Sequence, residues 1–254
     1  MNKVIHPEYR HLSAEITHII ENFSSSGDLF MKGRRNTIKL YPLGGKTVNV
    51  KSFKVPNVFN KLAYRFFRKS KAQRSYEYAN ILLEKGIGTP QPIAFYENKG
   101  GLSFQDSYYM SEQMQPDLTY RQLIEVPDYP ERELILRQFT RFSFMLHEKG
   151  VEFKDHTPGN TLVTKTGPQQ YAFFLVDLNR MSFHKAMPLK MRIENMGKLT
   201  SDAWMVSIMS DEYAKAYGCT YQEVHGLMSV LTKYYANRFE RKRAIKRALG
   251  LRKK

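Results

Sequence analysis

Between residues 151 and 163 the chain reads Val151-Glu152-Phe153-Lys154-Asp155-His156-Thr157-Pro158-Gly159-Asn160-Thr161-Leu162-Val163, and a little further on it reads Phe173-Phe174-Leu175-Val176-Asp177. The polar segment from Asp155 to Asn160 is turn-forming. It lies between a helix closing at Gly150 and the apolar Thr161-Leu162-Val163. Thr166-Gly167-Pro168 marks the turn to a second strand, Tyr171 to Val176, which delivers Asp177 at its end. Taken singly, each polar residue has an ordinary explanation, because Asp and Asn favour caps and turns through local hydrogen bonds. The ordered set of helix, Asp, five-residue step, Asn, hairpin and Asp is what constrains the fold.

Composition bounds the rest. With 254 residues, 42% of them hydrophobic, the chain can bury its own core as one large domain or two closely packed lobes. A single cysteine, Cys219, excludes a disulfide framework and a thiolate metal cluster, which fits a reducing compartment. The first seven residues lack the apolar core of a signal peptide, and no apolar run reaches the ~18 residues needed to span a bilayer. The expectation is a cytoplasmic protein, soluble or peripheral. A net charge of +16 attracts polyanions: nucleic acid, anionic headgroups or phosphorylated glycolipid. Lys61, Arg65, Arg68, Lys69, Lys71 and Arg74 alternate with Leu62, Tyr64, Phe66, Phe67 and Tyr76. The basic stretch Arg238 to Lys254 carries Phe239, Ile245, Leu249 and Leu251. Both have the character of interfacial segments. The competing readings are a core helix for the first and a solvated tail for the second.

In chain order, residues 8 to 23 fit a helix or a strand. Strands are expected at Asp28 to Met31, Thr37 to Tyr41 and Thr47 to Phe53, with turns at Lys32 to Asn36 and Gly44-Gly45. Ser70 to Lys85 reads as a helix with Tyr78, Ile81, Leu82 and Leu83 inward, closed by Gly86 as a left-handed cap. Strands Ile93 to Glu97 and Ser107 to Met110 follow. At Met110 to Asp117 the sequence changes from strand-rich to helix-rich, suggesting an N-terminal lobe over 1–110, a hinge over 111–118 and a C-terminal lobe over 119–254. Thr119 caps the next helix. Glu131 to Glu148 is amphipathic through Leu134, Ile135, Phe139, Phe142, Met145 and Leu146. Helices near 189–199, 200–217 and 220–247 complete the chain, with Trp204 expected in the core.

The segment around Asp155 resembles a kinase catalytic loop. In the pattern H-R-D-x-x-x-x-N the Asp orients the attacking hydroxyl, the Asn holds Mg²⁺, and a later Asp holds a second site on the metal. Here Phe153 stands for His, Lys154 for Arg and Asp177-Leu178-Asn179 for Asp-Phe-Gly, and no Ala-Pro-Glu follows. By that resemblance the first turn, with its one glycine Gly33 and with Arg34 and Arg35, covers the nucleotide phosphates, or else the basic turn faces a substrate. Val48-Asn49-Val50-Lys51 departs from V-A-I-K only at its second residue and makes Lys51 the phosphate lysine, with Lys54 second in line. Glu77 is the carboxylate expected to pair with Lys51. Adenine is expected against the backbone of the hinge, at Glu112.

Residues Val50 to Lys54, Tyr64 to Ala72, Gly86 to Pro90, Phe153 to Asn160 and Val176 to Arg180 together resemble the lipopolysaccharide kinase family, the Kdo and heptose kinases of Gram-negative bacteria, in a form similar to the Bacteroidetes branch. The resemblance runs from about Gly27 to Tyr217. It implies an α+β, bilobal protein-kinase-like fold, an N-lobe of antiparallel sheet plus one helix, and a mainly helical C-lobe. It also implies ATP and Mg²⁺ as cofactors, with Lys51 on phosphate, Asp155 as base, and Asn160 and Asp177 on the metal. The implied acceptor is a sugar hydroxyl of the lipid A-core glycolipid, reached from the cytoplasmic face of the inner membrane. No obligate protein partner is evident. A kinase of the same fold acting on a protein or small molecule remains open, as does a basic pseudokinase or nucleic-acid-binding module.

Overall fold

The computed structural model describes residues 2–33, 36–53, 69–99 and 104–249. Arg34, Arg35, Lys54, the segment Lys61 to Arg68 and the last five residues lie outside the described residues. The chain forms two compact units: Met1–Gln115 with Val176–Arg180, and Pro116–Leu175 with Met181–Lys254.

The first unit contains a sheet of β1 (Asn2–Ile5), β2 (Asp28–Lys32), β3 (Asn36–Leu43), β4 (Lys46–Phe53), β5 (Pro92–Lys99) and β6 (Phe104–Glu112). Their order is β1-β5-β6-β4-β3-β2, with every neighbouring pair antiparallel. Period-two alternation sorts β4 onto two faces. Val48 and Val50 join Ile16, Ile19 and Ile20 of helix α1 (Ser13–Glu21) in one apolar cluster, while Phe53 packs with Ala72 and Tyr76 of α2 (Lys71–Glu84) and with Phe95. Each such fully buried aliphatic or aromatic side chain contributes about 1.5–3 kcal/mol.

Several local expectations are corrected. Residues 7–12 form a 3₁₀ turn leading into α1, so the ambiguous N-terminal stretch is helical. The inward face of α2 is Ala72, Ser75, Tyr76, Ala79 and Leu82, whereas Tyr78, Ile81 and Leu83 are only half-buried. The small residues Ala72 and Ala79 let this helix approach the sheet closely, which a count of large apolar side chains overlooks. Strand β6 continues through Ser111 and Glu112, and β1 was not visible in the sequence because its pairing with β5 makes the strand.

The second unit holds β7 (Leu118–Thr119), α3 (Tyr120–Glu125), α4 (Arg132–Glu148), β8 (Val151–Phe153), β9 (Thr161–Gly167), β10 (Gln170–Leu175), β11 (Met181–Phe183), α5 (Leu189–Met196), α6 (Ala203–Tyr217) and α7 (Tyr221–Ala248). Phe139 of α4 lies at the centre of its core, with ring centroids of Tyr120 at 4.3 Å and Phe173 at 5.7 Å. The capping oxygen of Asp202 accepts from Met205 N–H at 2.8 Å, which starts α6 three residues later than the sequence suggests. Trp204 is exposed rather than buried, and the Arg132 guanidinium lies 4.6 Å from its ring centre. The β9–β10 turn falls at Pro168-Gln169, with Gln169 left-handed.

Gly150 fixes the exit of α4. Its φ is +72°, and a Cβ there would come within 1.9 Å of the His184 carbonyl oxygen. The His184 N–H in turn donates to the Gly150 carbonyl at 2.8 Å. Only glycine permits both the conformation and the approach, so the chain enters β8 in one direction.

Candidate active site

In the first unit, β4 places Lys51 on the face opposite Val48 and Val50, where Lys51 is 9% exposed. Its Nζ donates to Asp177 Oδ1 at 2.8 Å and lies 5.4 Å from the Phe53 ring centre. Asn179 Nδ2 donates to the same oxygen at 2.7 Å. Asp177 has a φ of +61°, a left-handed conformation that Asp tolerates better than bulkier residues and that accumulates at functional sites. The sequence expectation that Lys51 and Asp177 serve one nucleotide thus meets a structure in which they are in direct contact.

Glu77 does not pair with Lys51. Its carboxylate accepts from Lys69 at 2.7 Å and from Gln73 at 2.9 Å. The reason is helical phase: the sheet-facing side of α2 is Ala72, Tyr76 and Ala79, and Glu77 lies off it, within reach of Gln73 one turn earlier. The Glu112 side chain has partners of its own. It is opposite Val48 on the face covered by α1, accepts from Tyr9 Oη at 2.6 Å and pairs with Lys46. Its N–H donates to Gln91 O at 2.9 Å. Burial opposes its ionisation, but the bonds from Lys46 and Tyr9 outweigh that and hold its carboxyl below the ordinary range, while burial and Glu112 raise the Tyr9 hydroxyl. The Gly33 N–H closes the β2–β3 turn by donating to Asn36 O at 2.8 Å, so this amide does not point at a ligand.

In the second unit, β8 runs into the loop that carries Asp155 and Asn160. The His156 N–H donates to Phe153 O at 3.0 Å, and the Asn160 N–H donates to Thr157 O at 3.0 Å through the short turn Pro158–Asn160. Asn160 Nδ2 donates to the Asp155 carbonyl oxygen at 2.8 Å. The five-residue step is therefore closed by the Asn side chain itself, and the carboxamide oxygen is the atom Asn160 has to offer a cation.

Three residues beneath this loop carry no sequence signal. Asn195 of α5 donates through Nδ2 to Phe153 O at 2.8 Å, and its Oδ1 lies 3.3 Å from His147 Nε2. His147 Nδ1 is 2.7 Å from Tyr213 Oη. Burial pushes His147 down to about 4. His156, next to Asp155 in the chain, is 1% exposed between the rings of Phe139 and Phe153, and neither of its ring nitrogens has a hydrogen-bond partner. Burial, reinforced by His147, drives it down to about 3. It is a neutral packing residue, standing in the core beside the Phe153 that replaces the usual His.

The oxygen donors fit a magnesium ion. Mg²⁺ prefers carboxylate and carbonyl oxygens and is held by one or two protein ligands together with water and phosphate, not by an all-protein cage. Asp177 in the first unit and Asn160 in the second each carry an oxygen of that kind, and among the described residues no group of three or more His, Cys, Asp or Glu gathers into a cage of another kind.

The model of the lipopolysaccharide kinase (Kdo/WaaP) family matches residues 47–231, most of the chain. The chain belongs to this family. The match begins at the start of β4 and ends in α7, later at both ends than the sequence resemblance ran. Among solved structures, WaaP in complex with acyl carrier protein is similar, with a TM-score of 0.63 and 16% identity over 93% of this chain and 99% of that one. At that identity the likeness concerns the fold, which is α+β and protein-kinase-like. No curated protein sequence matches. Membership of this kinase family makes the chain an ATP-dependent phosphotransferase of lipopolysaccharide biosynthesis.

Proposed function

We propose that this kinase transfers the γ-phosphoryl group of ATP to a sugar hydroxyl, on Kdo or heptose, of the lipopolysaccharide inner core at the cytoplasmic face of the inner membrane. The observation that carries the reading is the Lys51–Asp177 contact at 2.8 Å. An ammonium that is largely buried needs a counter-charge, and Asp177 supplies it. When nucleotide arrives, Lys51 exchanges this carboxylate for phosphate oxygens, which frees Asp177. Asp177 and Asn160 are the residues that would each offer an oxygen to magnesium, which when bound would supply charge neutralisation at the phosphate oxygens. Asp155 orients the acceptor hydroxyl and takes its proton as the new oxygen–phosphorus bond forms, while the bond from the γ-phosphorus to its bridging oxygen breaks and ADP leaves.

The location rests on surface chemistry. No helix among the described residues is long and apolar enough to cross a membrane. The C-terminal half of α7 and the Leu249 that caps it expose Phe239, Ile245 and Leu249 among Arg238, Arg241, Lys242, Arg243, Lys246 and Arg247, a composition suited to an anionic lipid surface. Mass spectrometry of lipid A-core from cells with and without the gene tests the whole reading: a core phosphate should disappear with the gene, and an unchanged core overturns it.

A further inference from the structure

We propose that Asn49 and Gln113 form a carboxamide pair that selects the base of the nucleotide. The inference rests on Lys51 being the phosphate lysine and deepens that reading. Asn49 is two residues before Lys51 on β4, so both side chains share the face opposite Val48 and Val50, about 7 Å apart along the strand. Asn49 is also cross-strand from Ser111, where β6 runs toward Gln113 and Met114. A nucleotide with phosphates at Lys51 and its base against the backbone near residues 112–114 therefore passes Asn49.

The pair is built and directional. Asn49 Nδ2 donates to Gln113 Oε1 at 2.9 Å, and Gln113 Nε2 donates to the Met114 carbonyl oxygen at 2.9 Å. The Gln113 N–H is anchored as well, donating to Thr47 O at 3.0 Å. Two links thus run one way, from side chain to side chain to backbone, a backbone bond fixes Gln113 beside them, and both carboxamides are half-buried. With Nδ2 turned to Gln113, Asn49 offers its Oδ1, a hydrogen-bond acceptor. A base bearing an amino group at the six-position of the purine complements it. Guanine and hypoxanthine carry an oxo group there, which sets acceptor against acceptor in a partly desolvated site. Leaving such a group unpaired costs enough to give about a tenfold or greater loss of affinity. The alanine usual at this position in the V-A-I-K pattern has no polar group with which to discriminate.

The test is displacement of a fluorescent ATP analogue by ATP, GTP and ITP, with Mg²⁺, from the wild-type protein and from Asn49→Ala and Gln113→Ala. The wild type should bind ATP about tenfold or more tightly than GTP or ITP. Asn49→Ala should bring the three within about threefold, and Gln113→Ala, which leaves Asn49 unanchored, should shift the ratio the same way by less. Gln113→Ala carries the test alone if Asn49→Ala does not fold. A wild type that binds all three equally, or variants that keep the wild-type ratio, overturns the proposal and leaves the glycolipid kinase reading intact. A wild type that binds ATP selectively but phosphorylates no glycolipid overturns that reading and supports the base-selecting pair. A wild type that binds no nucleotide overturns both.

Discussion

Asn195 Nδ2 donates to the Phe153 carbonyl oxygen at 2.8 Å, so a helix forty residues downstream holds the strand that enters the Asp155 loop. Asn195 is 8% exposed, and its other carboxamide atom faces His147. Asn195→Ala leaves the Phe153 carbonyl with the His156 N–H as its remaining donor and takes away the partner of His147 Nε2, a loss of about 1–3 kcal/mol. Urea unfolding should show that loss. Turnover at a temperature where the variant remains folded should fall while nucleotide affinity, a property of Lys51 and its surroundings, stays near wild type.

The buried histidines set an acid limit. Both have folded-state values depressed below 6.5, to about 4 for His147 and about 3 for His156. The unfolded chain therefore binds the extra protons. Their stabilising contribution is complete above about pH 6.5 and declines as pH falls toward 4, by up to about 1.4 kcal/mol per histidine per pH unit. His156→Leu removes one of these sites along with two unpartnered ring nitrogens, so its melting temperature should fall less than wild type between pH 7 and pH 5. Parallel pH profiles would show that His156 does not titrate as its burial requires.

The active-site carboxylates should separate by readout. Asp155→Asn is expected to retain ATP and Mg²⁺ binding but lose most turnover, whereas Asp177→Asn should weaken metal-nucleotide binding itself. Isothermal titration with Mg-ATP alongside an initial-rate assay distinguishes the two. Equal turnover in wild type and Asp155→Asn would remove Asp155 from the mechanism.

Glu77, paired with Lys69 and Gln73 rather than Lys51, should act as a helix-surface residue. Glu77→Ala is expected to cost no more than about 1 kcal/mol of stability, and its effect on ATP turnover should add to that of Lys51→Ala. Strong non-additivity in a double-mutant cycle would mean that the nucleotide-bound enzyme brings the two together.

The basic end of α7 should govern membrane affinity. Neutralising Arg241, Lys242, Arg243, Lys246 and Arg247, each contributing about 1 kcal/mol near an anionic surface, should reduce sedimentation with anionic liposomes and raise the KM for glycolipid. Turnover on a soluble sugar acceptor should change little. Unchanged liposome binding would remove α7 from the docking surface.

Punctuation and periodicity were the legible part. Gly44-Gly45 and Gly86 are local signals, and the strands and the helix they delimit lie where the residues indicate. The five-residue step from Asp155 to Asn160 was legible for the same reason: its geometry is closed by a bond between its own ends. What escaped depends on partners distant in sequence. The edge strand β1 exists because β5 is beside it, and Asn195 and Tyr213 acquire their roles only through packing against His147 and Phe153. Glu77 was expected beside Lys51 because a carboxylate in the middle of a helix does not announce its phase, and small residues such as Ala72 and Ala79 define the inward face less visibly than large ones do.

The five residues Val176–Arg180 belong to the first unit although both strands flanking them, β10 and β11, belong to the second. The halves of this kinase are therefore not consecutive pieces of its gene. A fragment ending at Gln115 would contain Lys51 but not Asp177, leaving a largely buried ammonium without its counter-ion, and no single cut elsewhere restores the pair without also carrying the catalytic loop. Splitting, fusion or recombination at the apparent boundary should yield an insoluble first half, and a working split version would have to supply residues 176–180 in trans.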